Sequence, residues 1–209
     1  AYYYNGFAFR LKVPKTYNPT AVDGKKYPMI VFFHGLGERG TIYDNEYSLL
    51  HGGQQFNNKV EDGSFDGYVL VMQTQDGYHG VSDFSAIKGV IDYMIINNKL
   101  DAFRVVDNGL SSGGAGAWDM MIDNPTYIAG SLPMSSSCAC YINSTTINKI
   151  KYKPIWNFQG GLDPSPAPST TEAVRDAILA AGGNFKYTLY PSLAHGTWNT
   201  AWAEPGFYP

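Results

Sequence analysis

Apolar residues come in short bursts along this chain, and the bursts alternate between two periods. Met29-Ile30-Val31-Phe32-Phe33 and Tyr68-Val69-Leu70-Val71-Met72 are unbroken apolar runs, as expected of strands buried on both faces. Between Ser82 and Asn98, by contrast, Ile87, Val90, Ile91, Met94 and Ile95 recur at helical spacing. Further strands read at residues 7–13, ended by Pro14, and at 104–108, 128–134, 154–158 and 185–190. A helix follows the glycines at 113 and 114 and stops near Asn124-Pro125. A second opens on a predicted capping box, with Ser169 as N-cap and Glu172 at N3. It runs through Val174, Ile178 and Leu179 and ends at Gly182-Gly183, where glycine supplies a left-handed cap. Strands alternating with helices predict an α/β fold with a mostly parallel central sheet and helices on both faces. Ligands of such sheets sit at the carboxyl ends of the strands.

One junction in this pattern carries chemistry. Gly109-Leu110-Ser111-Ser112-Gly113 stands between the strand at 104–108 and the helix after it. A Gly-x-Ser-x-Gly pentapeptide in that setting resembles the nucleophile elbow of α/β-hydrolases. The turn leaves no room for a side chain at either flank, and Ser111 is held proud of the sheet. In a chain with 23 Gly among 209 residues the pentapeptide alone is a weak signal. An acid, a histidine and an oxyanion site must accompany it. His195, within Ser192-Leu193-Ala194-His195-Gly196-Thr197-Trp198, follows the last strand and is the candidate base. Asp163, within Gly160-Gly161-Leu162-Asp163-Pro164, follows the preceding strand and is the candidate acid that orients it. Alone, His195 reads as a loop histidine and Asp163 as a turn residue before proline. Their placement after consecutive strands, in the order Ser111, Asp163, His195, reverses both readings. His34-Gly35-Leu36-Gly37 follows another buried strand, and the backbone amides of Leu36 and Ser112 form the expected oxyanion hole. His34 precedes that turn and reads as structural.

Composition narrows the class without choosing within it. A length of 209 residues suits one catalytic domain, spanning 1–209, with a sizeable core. A net charge of −3 provides no basic field, so nucleic acid is not an expected partner. No apolar run approaches the roughly 20 residues of a membrane span, so no membrane partner is expected either. Only 16% of residues are charged while Tyr numbers 16, a balance that points toward export. No leader segment is visible at Ala1-Tyr2-Tyr3-Tyr4, as expected of a mature secreted chain or of one trimmed from a longer polypeptide that carries other domains. Cys138 and Cys140 stand one residue apart, a spacing that predicts reduced, packed thiols in preference to a strained bridge.

Four motifs then converge on one group. His34-Gly35-Leu36-Gly37-Glu38-Arg39-Gly40 resembles the His-Gly-x-Gly-Glu-Arg-Gly signature of secreted α/β-hydrolase esterases. That group comprises the feruloyl and acetyl xylan esterases and the polyhydroxybutyrate-depolymerase-like proteins. Residues 104–114 resemble its elbow motif, 154–164 its Pro-(Val/Ile)-Trp-x-Phe-His-Gly-x-x-Asp, and His195 to Trp198 its His-x-x-Trp. The resemblance covers the chain from about residue 6 onward and is more specific for fold and triad than for substrate. Two positions depart from it. Ser112 replaces the usual methionine, implying a smaller, more polar pocket wall, and Gln159 replaces a common histidine beside the acid loop.

Other residues stay open between roles. Glu38 and Arg39 are candidate substrate contacts, or a salt bridge holding the oxyanion loop. Trp198 is a candidate stacking platform for a sugar or aromatic acyl group, or simply core. Asp83, Asp107 and Asp119 are rival carboxylates, read as caps or surface residues because none follows a strand where the acid must stand. Asn143-Ser144-Thr145 matches a glycosylation sequon. Residues 135–152 and 52–67 are the two stretches available as cover, too short for a large lid, and a shallow site suits an ester carried by a polymer.

Together these readings imply an extracellular serine carboxylic-ester hydrolase that removes acetyl or feruloyl-type groups from plant polysaccharide, with no metal or organic cofactor. A polyester depolymerase or a peptidase of related fold is the alternative within enzymes. An inactive hydrolase-like module that binds polysaccharide is the alternative outside them.

Overall fold

A computed structural model describes residues 1–44, 46–138 and 142–208. Within these residues eight strands form one sheet: β1 (Tyr2–Tyr4), β2 (Phe7–Lys12), β3 (Tyr27–Phe33), β4 (Tyr68–Met72), β5 (Leu100–Leu110), β6 (Gly130–Met134), β7 (Ile155–Gly160) and β8 (Phe185–Tyr190). Their spatial order is β1-β2-β4-β3-β5-β6-β7-β8. β1 and β2 pair antiparallel and lead into β4; from there every pairing is parallel. The chain leaves β4 and crosses β3 to begin β5, so the order reverses about β3, the kind of switch point where a crevice opens.

Among the described residues six helices cover the sheet: α1 (Gly52–Glu61), α2 (Val81–Asn97), α3 (Ser112–Asp123), α4 (Ser144–Ile150), α5 (Pro168–Ala180) and α6 (Trp198–Ala201). Alternate residues of β3 serve opposite faces. Met29, Val31 and Phe33 join a core with Phe84, Ile87 and Met94 of α2, Trp118 of α3 and Ile178 of α5. Ile30 and Phe32 join another with Phe56 and Val60 of α1, Trp202 and Phe207. Cores on both faces account for the unbroken apolar strands.

The expected fold class is the observed one, and most predicted elements lie within a few residues of their predicted bounds. Two readings need correction, those of Ser169 and Asp107, and two others gain structure. The capping box at Ser169 does not form: Pro168 occupies the first turn and Ala167 is the N-cap, with no side-chain capping bond. Residues 52–67 and 135–152, the two stretches available as cover, contain α1 and α4. Asn143 of the sequon is the N-cap of α4, its side chain accepting from the amides of Thr145 and Thr146. Asp107 is neither cap nor surface but fully buried in β5. At the other end of α5, Gly182 has φ +73°, as its predicted capping role requires. Cys138 is buried, and Cys140 lies outside the described residues.

Candidate active site

Strand register gathers the site. Phe33 stands level with Gly109, Leu110 with Met134, Met134 with Phe158, and Gly160 with Tyr190. The segments that follow β3, β5, β6, β7 and β8 therefore emerge along one edge. Ser111 occupies the turn between β5 and α3 with φ 57° and ψ −121°, a conformation rarely adopted by residues with a side chain. Its amide donates to Met134 O at 3.0 Å, which ties the turn to the end of β6. Both flanking glycines are required by space. A Cβ on Gly109 would stand 2.1 Å from Gly113 O, and one on Gly113 would stand 2.1 Å from Phe33 O.

The acid and base loops are sewn together through backbone. Gly161 N donates to Tyr190 O at 2.8 Å, and Leu162 N donates to Leu193 O at 2.9 Å. A Cβ on Gly160 would lie 2.0 Å from Ala194 O, so this approach also needs glycine. The outcome is a relay. Ser111 Oγ lies 2.8 Å from His195 Nε2, and His195 Nδ1 lies 2.8 Å from Asp163 Oδ2. Asp163 is buried, and its other oxygen accepts from the Ser165 amide at 2.9 Å. Gln159, which stands where the resembled group commonly has histidine, is also buried. Its Nε2 lies 3.4 Å from Asp163 Oδ2 and donates to Pro166 O at 2.9 Å, while Thr171 donates to its Oε1. The His195 side chain is 39% exposed, so the reacting end of the relay is open to solvent.

Two positioning groups were not anticipated from sequence. Ser135, at the end of β6 with φ 48°, donates its hydroxyl to His195 O at 2.5 Å and lies 2.7 Å from Thr197 Oγ1. Both residues are buried beneath the His195 loop. No local motif marks a serine that acts 60 residues away in the chain.

The turn after β3, the candidate oxyanion turn, begins at His34, which is buried and structural in its contacts. Its Nδ1 donates to Gly35 O at 2.8 Å, and its Nε2 accepts from Thr74 N at 3.0 Å. Burial lowers its pKa, which keeps the ring neutral. Behind it, His79 donates from Nε2 to His34 O, and burial with the neighbouring His34 pushes its pKa down to about 3. Leu36 opens the short 3-10 turn Leu36–Glu38, and Ser112 is the first residue of α3. Among the described residues neither amide has a hydrogen-bond acceptor, so both remain available. The contact of Gly113 with Phe33 O and His34 O brings the two amide-bearing segments together.

The neighbours of this turn separate the remaining candidates. Glu38 is 2% exposed and makes no open oxygen available to a substrate. Oε2 accepts from Gly35 N at 2.8 Å; Oε1 accepts from His51 N at 3.1 Å and from His51 Nδ1 at 2.9 Å. It holds the loop, with His51 rather than Arg39 as its ionisable partner. Arg39 is exposed and donates to Leu36 O at 3.3 Å. Trp198 is half-buried against the core, with its ring centroid 6.1 Å from that of His195 and 5.8 Å from that of His51. The Ser112 hydroxyl is buried and has no partner among the described residues, so it does not make the cleft wall more polar. Asp83 caps α2 through the Gly80 amide, and Asp119, half-buried on α3, has its pKa raised to about 6 by burial and Asp123. An aromatic cavity of about 580 Å³, lined by Tyr2, Tyr4, Tyr17 and Tyr93, lies at the β1–β2 edge, and no relay residue borders it.

This architecture is the α/β-hydrolase fold. A thermostable esterase superposes with a TM-score of 0.75 over 94% of this chain, at 24% identity; the chain spans 56% of that protein. A ferulic acid esterase superposes with a TM-score of 0.70 over 94% of this chain and 88% of its own, at 14% identity. The acylaminoacyl peptidase of Pyrococcus horikoshii gives 0.63 over 91% of this chain and 36% of its own, at 14% identity. No family model and no curated protein matches the sequence. Likeness at these identities defines the fold; the chemistry must be argued from the site.

Proposed function

We propose that this protein is a serine carboxylic-ester hydrolase working through an acyl-enzyme. The observation that carries the proposal is the unbroken relay Ser111–His195–Asp163, with both links at 2.8 Å. His195 Nε2 takes the hydroxyl proton as Ser111 Oγ bonds to the ester carbonyl carbon, and the carbonyl electron pair moves onto oxygen. The amides of Leu36 and Ser112 receive that charge; one such donor is worth about 3 kcal/mol. Collapse breaks the carbon–oxygen bond, and the alcohol leaves with the proton held by His195. Water, deprotonated by the same nitrogen, then releases the acid and restores Ser111. Asp163 accepts from Nδ1 throughout, fixing the ring and stabilising the imidazolium.

The substrate reading is an acetyl or feruloyl-type ester on plant polysaccharide, met outside the cell. Support comes from the exposed His195 edge, which a polymer-borne ester can reach, and from Trp198 beside it, a face suited to a sugar or phenolic ring. Ser111→Ala should abolish hydrolysis of p-nitrophenyl acetate, and retained turnover would contradict the mechanism. Acetylated xylan and feruloylated arabinoxylan should release acid. Turnover only of polyhydroxybutyrate or of peptide amides would move the protein to a depolymerase or peptidase. Glycan binding with no hydrolysis at all would make it a binding module.

A further inference from the structure

The site contains a second histidine braced on a buried carboxylate. We infer that His51 is a substrate-contact residue whose Nε2 receives a hydroxyl group of the ester substrate lying along Trp198. The identity of that ligand rests on the esterase reading.

Glu38 Oε1 accepts both the backbone amide and the ring Nδ1–H of His51, so the ring is held at two points. A proton bound at Nδ1 leaves Nε2, in the neutral ring, as a bare acceptor. Among the described residues no partner occupies that nitrogen. The carboxylate end is sealed, with the Glu38 side chain 3% exposed, whereas the His51 side chain is 46% exposed. A histidine that only tied down the oxyanion loop would need its backbone amide and Nδ1; it would not need an open far edge.

Trp198 relates this edge to the chemistry. Its indole stands edge-on to both imidazoles, at 65° to His51 and 85° to His195. Both histidine rings therefore border the same indole, whose width is about the span of a pyranose or a cinnamoyl arm. A substrate with its carbonyl at Ser111 and its ring along Trp198 carries a hydroxyl to His51. Because the acceptor is already fixed, the contact costs little ordering of the protein. That hydroxyl can come from the sugar of the alcohol half or from the phenol of the acyl half.

Two ester pairs distinguish these sources. Methyl p-coumarate and methyl cinnamate differ only by the phenol hydroxyl; an acetylated methyl xyloside and cyclohexyl acetate differ by the ring oxygen and the sugar hydroxyls. His51→Asn keeps an amide donor near the Nδ1 position for Glu38 and removes Nε2, while His51→Gln returns an amide near Nε2. The Asn variant should lower the kcat/KM ratio, hydroxylated over plain ester, about tenfold in one pair, chiefly through KM, as expected of one lost hydrogen bond. The Gln variant should recover part of that ratio. Equal losses on both members of each pair would leave His51 a loop anchor and overturn the inference. A turnover-independent readout uses the Ser111→Ala protein with p-coumarate or methyl xyloside added. The ¹⁵N shift of His51 Nε2 should move with one of these ligands and not with cinnamate. An unmoved shift would overturn the contact even where the esters are hydrolysed, whereas failure of all ester turnover with a moved shift would overturn only the esterase reading.

Discussion

Asp163 and Asp107 are both buried aspartates of the same sheet, yet they are equipped for opposite ends. Asp163 stands beyond the end of β7, with His195 and the Ser165 amide donating to its two oxygens and Gln159 close by. Asp107 stands within β5, level with Val31 and Ser131, and among the described residues neither of its oxygens has a partner in ordinary geometry. Ser131 acts to lower the pKa of Asp107, but burial outweighs it, and the carboxyl is pushed well above the usual carboxylate range. Burial without donors therefore favours the protonated form of a carboxyl. Donors are what equip a buried carboxyl to serve as an anion beside an imidazolium.

Asparagine substitutions test this contrast most strongly. Asp163→Asn should lower kcat on p-nitrophenyl acetate about 10⁴-fold, because the amide no longer enforces the tautomer that presents Nε2 to Ser111. Asp107→Asn, equally buried, should change kcat less than about threefold. Steady-state kinetics of the pair would break the comparison if the two losses were alike.

Stability should respond in the reverse sense. The unfolded Asp107 carboxyl ionises near pH 3.9, while in the fold it stays protonated to a higher pH. The folded state then binds the extra proton, so its contribution to stability is full below about pH 3.9 and is lost as pH rises toward the folded pKa. Asp107→Asn lacks this loss. Urea unfolding should show the variant gaining on the parent by about 1.4 kcal/mol for each pH unit across that window. A constant difference between pH 3 and 7 would contradict the raised pKa.

The smallest effect concerns the bracing of Asp163. Gln159→Leu removes one donor near Oδ2 but leaves His195 and the Ser165 amide in place. It should lower kcat by no more than about tenfold with KM nearly unchanged, the scale of one hydrogen bond.

What could be read from the sequence divides along the same physical line. β3 and β4 were legible because strands buried on both faces are written as continuous apolar runs, and β8, a mostly uncovered edge strand, because it is rich in aromatic and β-branched residues. The elbow and its partners were legible because tight turns demand glycine, and the order of strand ends fixed which acid and histidine could meet. Asp107 was misread because residue type says nothing of a polar side chain inside a buried strand. β1 was missed as three exposed tyrosines on a sheet edge. α1 opens on Gly52-Gly53 and has only Phe56 and Val60 as large buried apolar positions, too few to announce a helix. Ser135 and His51 act through contacts between loops, for which no local pattern exists.

The central claim, that Ser111 is a nucleophile activated by His195, is tested most directly by a serine-directed fluorophosphonate. Intact-mass and peptide mapping should show one adduct per chain on the peptide containing Ser111, absent in Ser111→Ala and formed far more slowly in His195→Ala. Hydrolysis that persists with Ser111 unlabelled, or with the adduct on another serine, would contradict the account.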